Sequence, residues 1–296
     1  MKSSLQRVKI YLRGGLGNQL FQYATALALA DSIGAKLLID ISLLPKKVDQ
    51  FRGLNRWPEQ ISEFAHSGEI VPSTGQPSQR TSILSKITTA QATARLLIYR
   101  RFFIQNNWIF DENIERFFLR NNLGKTRTLK MYGYFQRYDL FSQLAARLAS
   151  EITSLKSPSK EFKALASSYQ ESGLAIHVRL GDKLSLGMNS IKKYEKSLAA
   201  ITREMNIDDF EKVTIFSDSP DLAVPMLKAL GLGMEKLWVA PSCLTPLETL
   251  LLLSKNQYLI GSESSFFWWA TFLQQQRIPG AVSRLLDASD SQDKSY

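Results

Sequence analysis

The chain has 296 residues, 44% of them hydrophobic and 22% charged, and a formal net charge of +10. That composition excludes an intrinsically disordered chain, and no run of about 18 uninterrupted apolar residues exists to form a transmembrane anchor. One cysteine, Cys243, and two histidines, His66 and His177, leave no internal disulfide and no Cys- or His-rich metal cluster.

Length predicts two α/β domains of about 150 residues, each able to bury its own core. Charge is divided unevenly between them. Residues 1–160 carry 23 Lys and Arg against 11 Asp and Glu, a net +12, whereas residues 161–296 carry 14 against 16, a net −2. Arg95, Arg100, Arg101, Arg116, Arg120, Lys125, Arg127 and Lys130 crowd the end of the first half. This is either a solvated positive face or a site for an anionic partner, a membrane surface or an acidic glycan. Nucleic acid is disfavoured, because no helix-turn-helix, zinc-finger or stacked-aromatic signature accompanies the charge.

Residues 1–7 run directly into a strand at 8–12, without the apolar core and cleavage site of a signal peptide, so a cytoplasmic chain is expected. A helix is predicted over 18–32, with apolar residues at Leu20, Phe21, Ala24, Leu27, Ala28 and Ala30, and Gly34 ends it before a second strand at 36–40. Such strand-helix-strand units build parallel, doubly wound sheets. From 48 to 123 the pattern is irregular, with a loop at 72–78 and a basic helix or edge strand at 95–103. A strand at 129–132 ends in Gly133-Tyr134-Phe135-Gln136, and a helix is predicted over 140–155. Lys156-Ser157-Pro158-Ser159-Lys160 then reads as the linker between domains 1–160 and 161–296. The second half alternates strands at 174–178, 213–216, 236–239 and 258–260 with helices at 190–205, 220–230, 246–254 and 264–275. Thr245-Pro246-Leu247-Glu248 is a capping box with proline in the first helical position.

In such sheets ligands gather at the carboxyl ends of strands. A strand-to-loop break in each half suggests a ligand held between two domains. In the first, Gly14, Gly15 and Gly17 let the backbone approach a ligand and expose amides at a helix start, where the dipole favours anionic groups. The alternative is a turn that packs helix on strand, with Asn18 and Gln19 as capping residues. The spacing is neither Gly-x-Gly-x-x-Gly nor a P-loop, which disfavours nicotinamide binding and ATP hydrolysis.

In the second break, His177-Val178-Arg179-Leu180-Gly181-Asp182, alternation puts Leu174, Ile176 and Val178 on one face and His177 and Arg179 on the other. Arg179 can hold a diphosphate bidentately, Asp182 can orient that arginine or a hydroxyl, and His177 can orient or deprotonate a hydroxyl. The alternative is an Arg179–Asp182 ion pair beside a satisfied His177. Asp218, after the strand at 213–216, accepts hydrogen bonds from a base or ribose, or else Ser217-Asp218 caps a helix. Ser262-Glu263-Ser264-Ser265 offers hydroxyls and amides suited to a phosphate, and the aromatic run that follows reads as core.

These blocks, in this order, resemble the α-1,2-fucosyltransferases of glycosyltransferase family 11. The resemblance rests on Gly14-Gly15-Leu16-Gly17-Asn18-Gln19-Leu20-Phe21-Gln22-Tyr23-Ala24, Gly133-Tyr134-Phe135-Gln136, His177-Val178-Arg179-Leu180-Gly181-Asp182, Phe216-Ser217-Asp218 and Ser262-Glu263-Ser264-Ser265-Phe266-Phe267-Trp268-Trp269. It implies an α/β, GT-B-like chain of two Rossmann-type domains facing a central cleft. It also implies GDP-fucose as donor substrate, no cofactor, no metal ion, and inverting transfer to the 2-hydroxyl of a galactose in a glycan acceptor. By motif match, Arg179 would hold the β-phosphate, Asp218 the guanine or neighbouring groups, and Ser264 or Ser265 the phosphate. His177, Gly15, Gly17 and Asn18 would line the donor, and the catalytic set would be Arg179, Asp182 and His177. The chain departs from the family pattern in two places: Leu180 stands where a second arginine is usual, and Glu263 where asparagine is. An inner-membrane-face enzyme of surface polysaccharide synthesis is the expected setting. A non-catalytic glycan- or nucleotide-binding protein, or transfer with another sugar nucleotide or linkage, is the competing reading.

Overall fold

The computed structural model describes residues 6–51, 54–71, 107–118, 128–168, 173–179, 199, 210–229 and 236–285. The loop at 72–78, the basic segment at 95–103, most of the helix at 190–205, and Asp182 lie outside the described residues. The chain divides into two compact units, one of Met1–Asp49 with Arg56–Ser154, the other of Gln50–Asn55 with Leu155–Tyr296.

The first unit runs β1 (Arg7–Tyr11), α1 (Leu16–Ser32) and β2 (Lys36–Asp40); the chain then forms β3 (Asp49–Phe51) and β4 (Leu54–Arg56), a small two-stranded sheet most of whose residues belong to the second unit. After these come β5 (Glu69–Val71), β6 (Trp108–Ile109), α2 (Glu115–Phe118), β7 (Thr128–Met131) and α3 (Ala145–Thr153). Its main sheet has the order β5-β2-β1-β7-β6, with every pairing parallel. β1 is central, and its Val8 and Ile10 are fully buried.

α1 is buried almost all round from Leu16 to Ala30, more than a single apolar stripe requires. Its outer face is covered in turn: the Phe64 ring meets Tyr23 edge-on at 5.7 Å, and Phe141 meets Phe21 at 5.9 Å. The helix predicted over 140–155 is shorter than expected. Tight 3₁₀ turns at Tyr138–Leu140 and Ser142–Leu144 precede α3, and they seat Leu140 and Phe141 in the core before the chain straightens.

The second unit contains α4 (Lys160–Ser168), β8 (Leu174–Val178), β9 (Val213–Ser217), α5 (Pro220–Ala229), β10 (Leu237–Val239), α6 (Pro246–Leu253), β11 (Tyr258–Gly261), α7 (Ser265–Arg277) and β12 (Val282–Leu285). Its sheet is again wholly parallel, in the order β10-β9-β8-β11-β12. Counted from β8 this is 3-2-1-4-5, the strand order of the doubly wound nucleotide-binding folds. Leu174, Ile176 and Val178 pack with Val213, Ile215 and Ile260 against Ala223, Met226 and Leu227 of α5.

The capping box forms as predicted. The Thr245 hydroxyl accepts from the Glu248 amide at 3.2 Å, and Glu248 accepts in return from the Thr245 amide at 3.0 Å. The second Glu248 oxygen accepts from the amide of Ser159 at 2.6 Å, and the Ser159 hydroxyl accepts from the Phe162 amide at 3.0 Å. The predicted linker is therefore tied down at its end and opens directly into α4.

Candidate functional site

In each sheet the strand order reverses beside the first strand, which opens a crevice at the carboxyl ends of two neighbouring strands. The second sheet places the polar clusters at that point. β8 lies between β9 and β11, so His177 is paired in register with Gly261 on one side and Phe216 on the other. The Ser262 amide donates to the His177 carbonyl at 3.4 Å. Arg179, Ser217-Asp218 and Ser262-Glu263-Ser264-Ser265 thus leave three adjacent strands at the same edge.

His177 is 8% exposed, its ring stacked on Phe266 at 5.3 Å and Phe267 at 6.0 Å. The β8 face opposite the α5 core is therefore covered by α7, and His177 couples the end of β8 to the start of that helix. Gly261 is required for this packing, because a Cβ there would lie 2.3 Å from the Phe267 ring. Ser264 caps α7, its hydroxyl accepting from the Phe267 amide at 3.1 Å, and Ser265 is the first helical residue. Arg179 follows β8 immediately and is half-buried, whereas Asp218 is exposed. The Ser217 hydroxyl accepts from the Ser219 amide at 3.0 Å, which fixes the turn that carries Asp218. Asp182, the remaining member of the predicted catalytic set, lies outside the described residues.

In the first sheet the crevice lies between β1 and β7. It brings the glycine-rich break and Gly133-Tyr134-Phe135-Gln136 together from more than a hundred residues apart. Gly14 has a φ of +79°, a left-handed conformation that glycine adopts without strain. Gly15 is the N-cap of α1 and offers no side-chain cap, Trp57 lies against it, and Gly17 is buried in the first turn. Asn18 accepts from Gln136 Nε2 at 2.7 Å. Arg13 Nη1 donates to the Tyr132 hydroxyl at 2.9 Å, and its guanidinium lies 5.2 Å from the centre of the Tyr132 ring and 4.6 Å from that of Tyr134. Asp111 accepts from the backbone amides of Tyr134, at 3.0 Å, and Phe135, holding the turn after β7.

Two residues of the first block prove to be scaffold. Gln22, fully buried, accepts from the Arg13 amide at 2.9 Å and donates to the Arg13 carbonyl at 3.0 Å. Gln19 donates to the carbonyls of Gly14 at 2.9 Å and Pro58 at 2.8 Å and accepts from the Gln60 amide at 3.0 Å. They satisfy loop groups that burial would otherwise leave unmade. Sequence reasoning assigned no role to Arg13, Tyr132, Tyr134 or Gln136. The resemblance block at 133–136 was the one signal available, because the strands that join it to the glycine break are far apart in the chain.

Among the described residues, no group of three or more His, Cys, Asp and Glu side chains could hold a metal ion, and no helix is long and apolar enough to cross a membrane. No protein-family model and no curated protein sequence matches the chain. Solved structures do. The α-1,6-fucosyltransferase NodZ soaked with GDP-fucose is similar at a TM-score of 0.53 and 16% identity, over 91% of this chain and 92% of that one. NodZ from Bradyrhizobium also aligns at 0.53. POFUT1 in complex with GDP-fucose aligns at a TM-score of 0.51 and 10% identity, over 95% of this chain and 98% of that one. A point mutant of Arabidopsis thaliana FUT1 in complex with GDP gives 0.51 and 14%, over 91% and 68%.

The fold is GT-B-like.

Identity this low carries the architecture and nothing finer. Within that GT-B-like architecture, the two switch points are where each Rossmann-type unit gathers its polar residues: Arg179, Asp218 and Ser262 to Ser265 in one, Arg13, Asn18, Tyr134 and Gln136 in the other.

Proposed function

We propose that this chain transfers L-fucose from GDP-fucose to the 2-hydroxyl of a galactose in a glycan, with inversion at the fucose C1 and without a metal ion. The observation that carries the reading is the convergence at one switch point of Arg179, the turn bearing Asp218, and the Ser264-Ser265 start of α7. A guanidinium and a helix start are what a departing diphosphate needs, because both present fixed positive potential to it. GDP-fucose as donor is supported by the architecture shared with NodZ and POFUT1, each described with that nucleotide sugar. The α-1,2 linkage and the galactose acceptor rest on the sequence blocks.

In this reading Arg179 holds the β-phosphate, Ser264 and Ser265 the phosphate oxygens, and Asp218 the nucleoside. The fucose faces Gly15, Gly17 and Asn18. The acceptor hydroxyl attacks C1 from the side opposite GDP through an oxocarbenium-like transition state, and GDP departs with the electron pair of the broken C1–O bond. Asp182, His177 or water takes the acceptor proton, and His177, stacked on Phe266, holds the strand end beside the donor. The enzyme acts in the cytoplasm on a surface-polysaccharide precursor, drawn to the inner membrane face by its basic first half.

Thermal-shift measurements with GDP, UDP, CMP and ADP test the donor half: selective stabilisation by GDP is expected, and equal indifference to all four overturns it. NMR of the product formed from GDP-fucose and a panel of β-galactosides tests the acceptor half. An α-1,6 product, the linkage of NodZ, would replace the acceptor assignment and leave the donor assignment standing.

A further inference from the structure

Among the described residues, the Arg13 side chain in the first crevice has aromatic partners. Its guanidinium donates to the Tyr132 hydroxyl and lies over the Tyr132 and Tyr134 rings, and among the described residues no carboxylate pairs with it. Several basic residues of the same unit are instead paired with carboxylates: Lys9 with Asp40, Lys36 with Glu69, Arg137 with Glu115 and Asp139, and Arg147 with Asp31 and Glu151. Asp111, the carboxylate that holds the adjoining turn, is occupied by the amides of Tyr134 and Phe135.

The cation is also held in place. Gln22 clamps the Arg13 backbone through both its amide and its carbonyl, so the side chain departs from a fixed point at the carboxyl end of β1. Among the described residues, the Tyr132 hydroxyl is the acceptor that the Arg13 guanidinium meets, and a planar fork of five N–H donors matches a carboxylate or a phosphate. Tyr134, 36% exposed beside it, offers an aromatic face of the kind a sugar ring lies against. Residues 1–160 carry a net +12, which draws an anionic ligand towards this unit rather than the other.

We propose that this crevice recognises an acidic acceptor glycan, with Arg13 binding a carboxylate or phosphate on the sugar next to the accepting galactose and Tyr134 stacking on a sugar ring. The inference rests on the transferase reading and names its acceptor class. Arg13 is a specificity-determining residue in it and takes no part in bond making.

The test compares three acceptors that share a terminal β-galactose: a neutral disaccharide, its uronic acid counterpart, and a phosphate-bearing counterpart. Binding is followed by ligand-observed NMR without donor, and turnover with GDP-fucose. The protein is expected to favour at least one acidic acceptor over the neutral one by on the order of tenfold or more, with the preference shrinking as salt is raised. The uronic acid and phosphate arms say which anion is meant. Arg13→Gln should bring the ratio close to one, Arg13→Lys should restore part of it, and the GDP-induced thermal shift should survive in both.

Equal binding of neutral and acidic acceptors by the wild-type protein overturns the inference without reference to any variant. So does an Arg13→Gln protein that keeps its acidic preference, or one that loses GDP stabilisation instead, since the cation would then serve the donor. Acidic preference that depends on Arg13 without fucose transfer would sink the transferase reading and leave the recognition of acidic glycans standing.

Discussion

Gln22 reaches back from the second turn of α1 to bond both the amide and the carbonyl of Arg13, nine residues earlier, at 2.9 and 3.0 Å. The side chain thereby acts as a short piece of sheet for a loop that has left the sheet. Replacing it by leucine keeps the volume and leaves two backbone groups without partners in a half-buried setting. Gln22→Leu should destabilise the protein by about 2 kcal/mol, read as a lowered urea midpoint with unchanged m-value. A change under about 0.5 kcal/mol would show that water replaces the clamp at no cost.

Gly261 is where β11 passes beneath the Phe267 ring, which is 2% exposed and cannot swing into solvent. A methyl group there forces the start of α7 away from β8. Gly261→Ala should cost about 1–3 kcal/mol and, unlike an equally destabilising change elsewhere in the second unit, abolish the GDP-induced thermal shift. An alanine variant with full GDP response would separate the α7 start from nucleotide binding.

Arg179→Ala, folded as judged by circular dichroism, should lose GDP stabilisation and transfer together, with kcat/KM down on the order of a hundredfold or more. Arg179→Lys should recover a minor share, because a point charge cannot reproduce the bidentate fork. Normal turnover in the alanine variant would remove Arg179 from the mechanism.

Tyr23 donates to Glu151 and accepts from the Ser67 amide at 2.9 Å. Burial, and after it the hydrogen bond to Glu151, push its hydroxyl well above the ordinary value of 10.0. The unfolded chain therefore gives up this proton first as pH rises, and the stabilisation present below about 10 is lost progressively above it. Denaturant midpoints at pH 9 and pH 11 should fall, and the fall should be shallower in Tyr23→Phe. Identical slopes for the two proteins would refute the linkage.

The apolar runs of the second half made β8, β9 and β11 legible because these strands are buried on both faces. β5, β6 and β12 are edge strands of two to four residues, too short for any period to show. The helix expected over 140–155 gave way at its start to 3₁₀ turns because Leu140 and Phe141 are drawn into the core, and no local propensity reports such a demand.

What the sequence determined by itself was local: glycine breaks after strands, a capping box, alternating faces of β8, and the blocks that resemble a fucosyltransferase family. Those features depend on residues within a few positions of one another. Only the tertiary structure decided that β11 lies beside β8 and β7 beside β1, which brings Ser264 to the edge that carries Arg179 and Tyr134 to Arg13. Parallel pairing joins strands separated by a helix or more, so the order of strands in the sheet, and with it the composition of each crevice, is set by long-range packing that no short stretch of chain encodes.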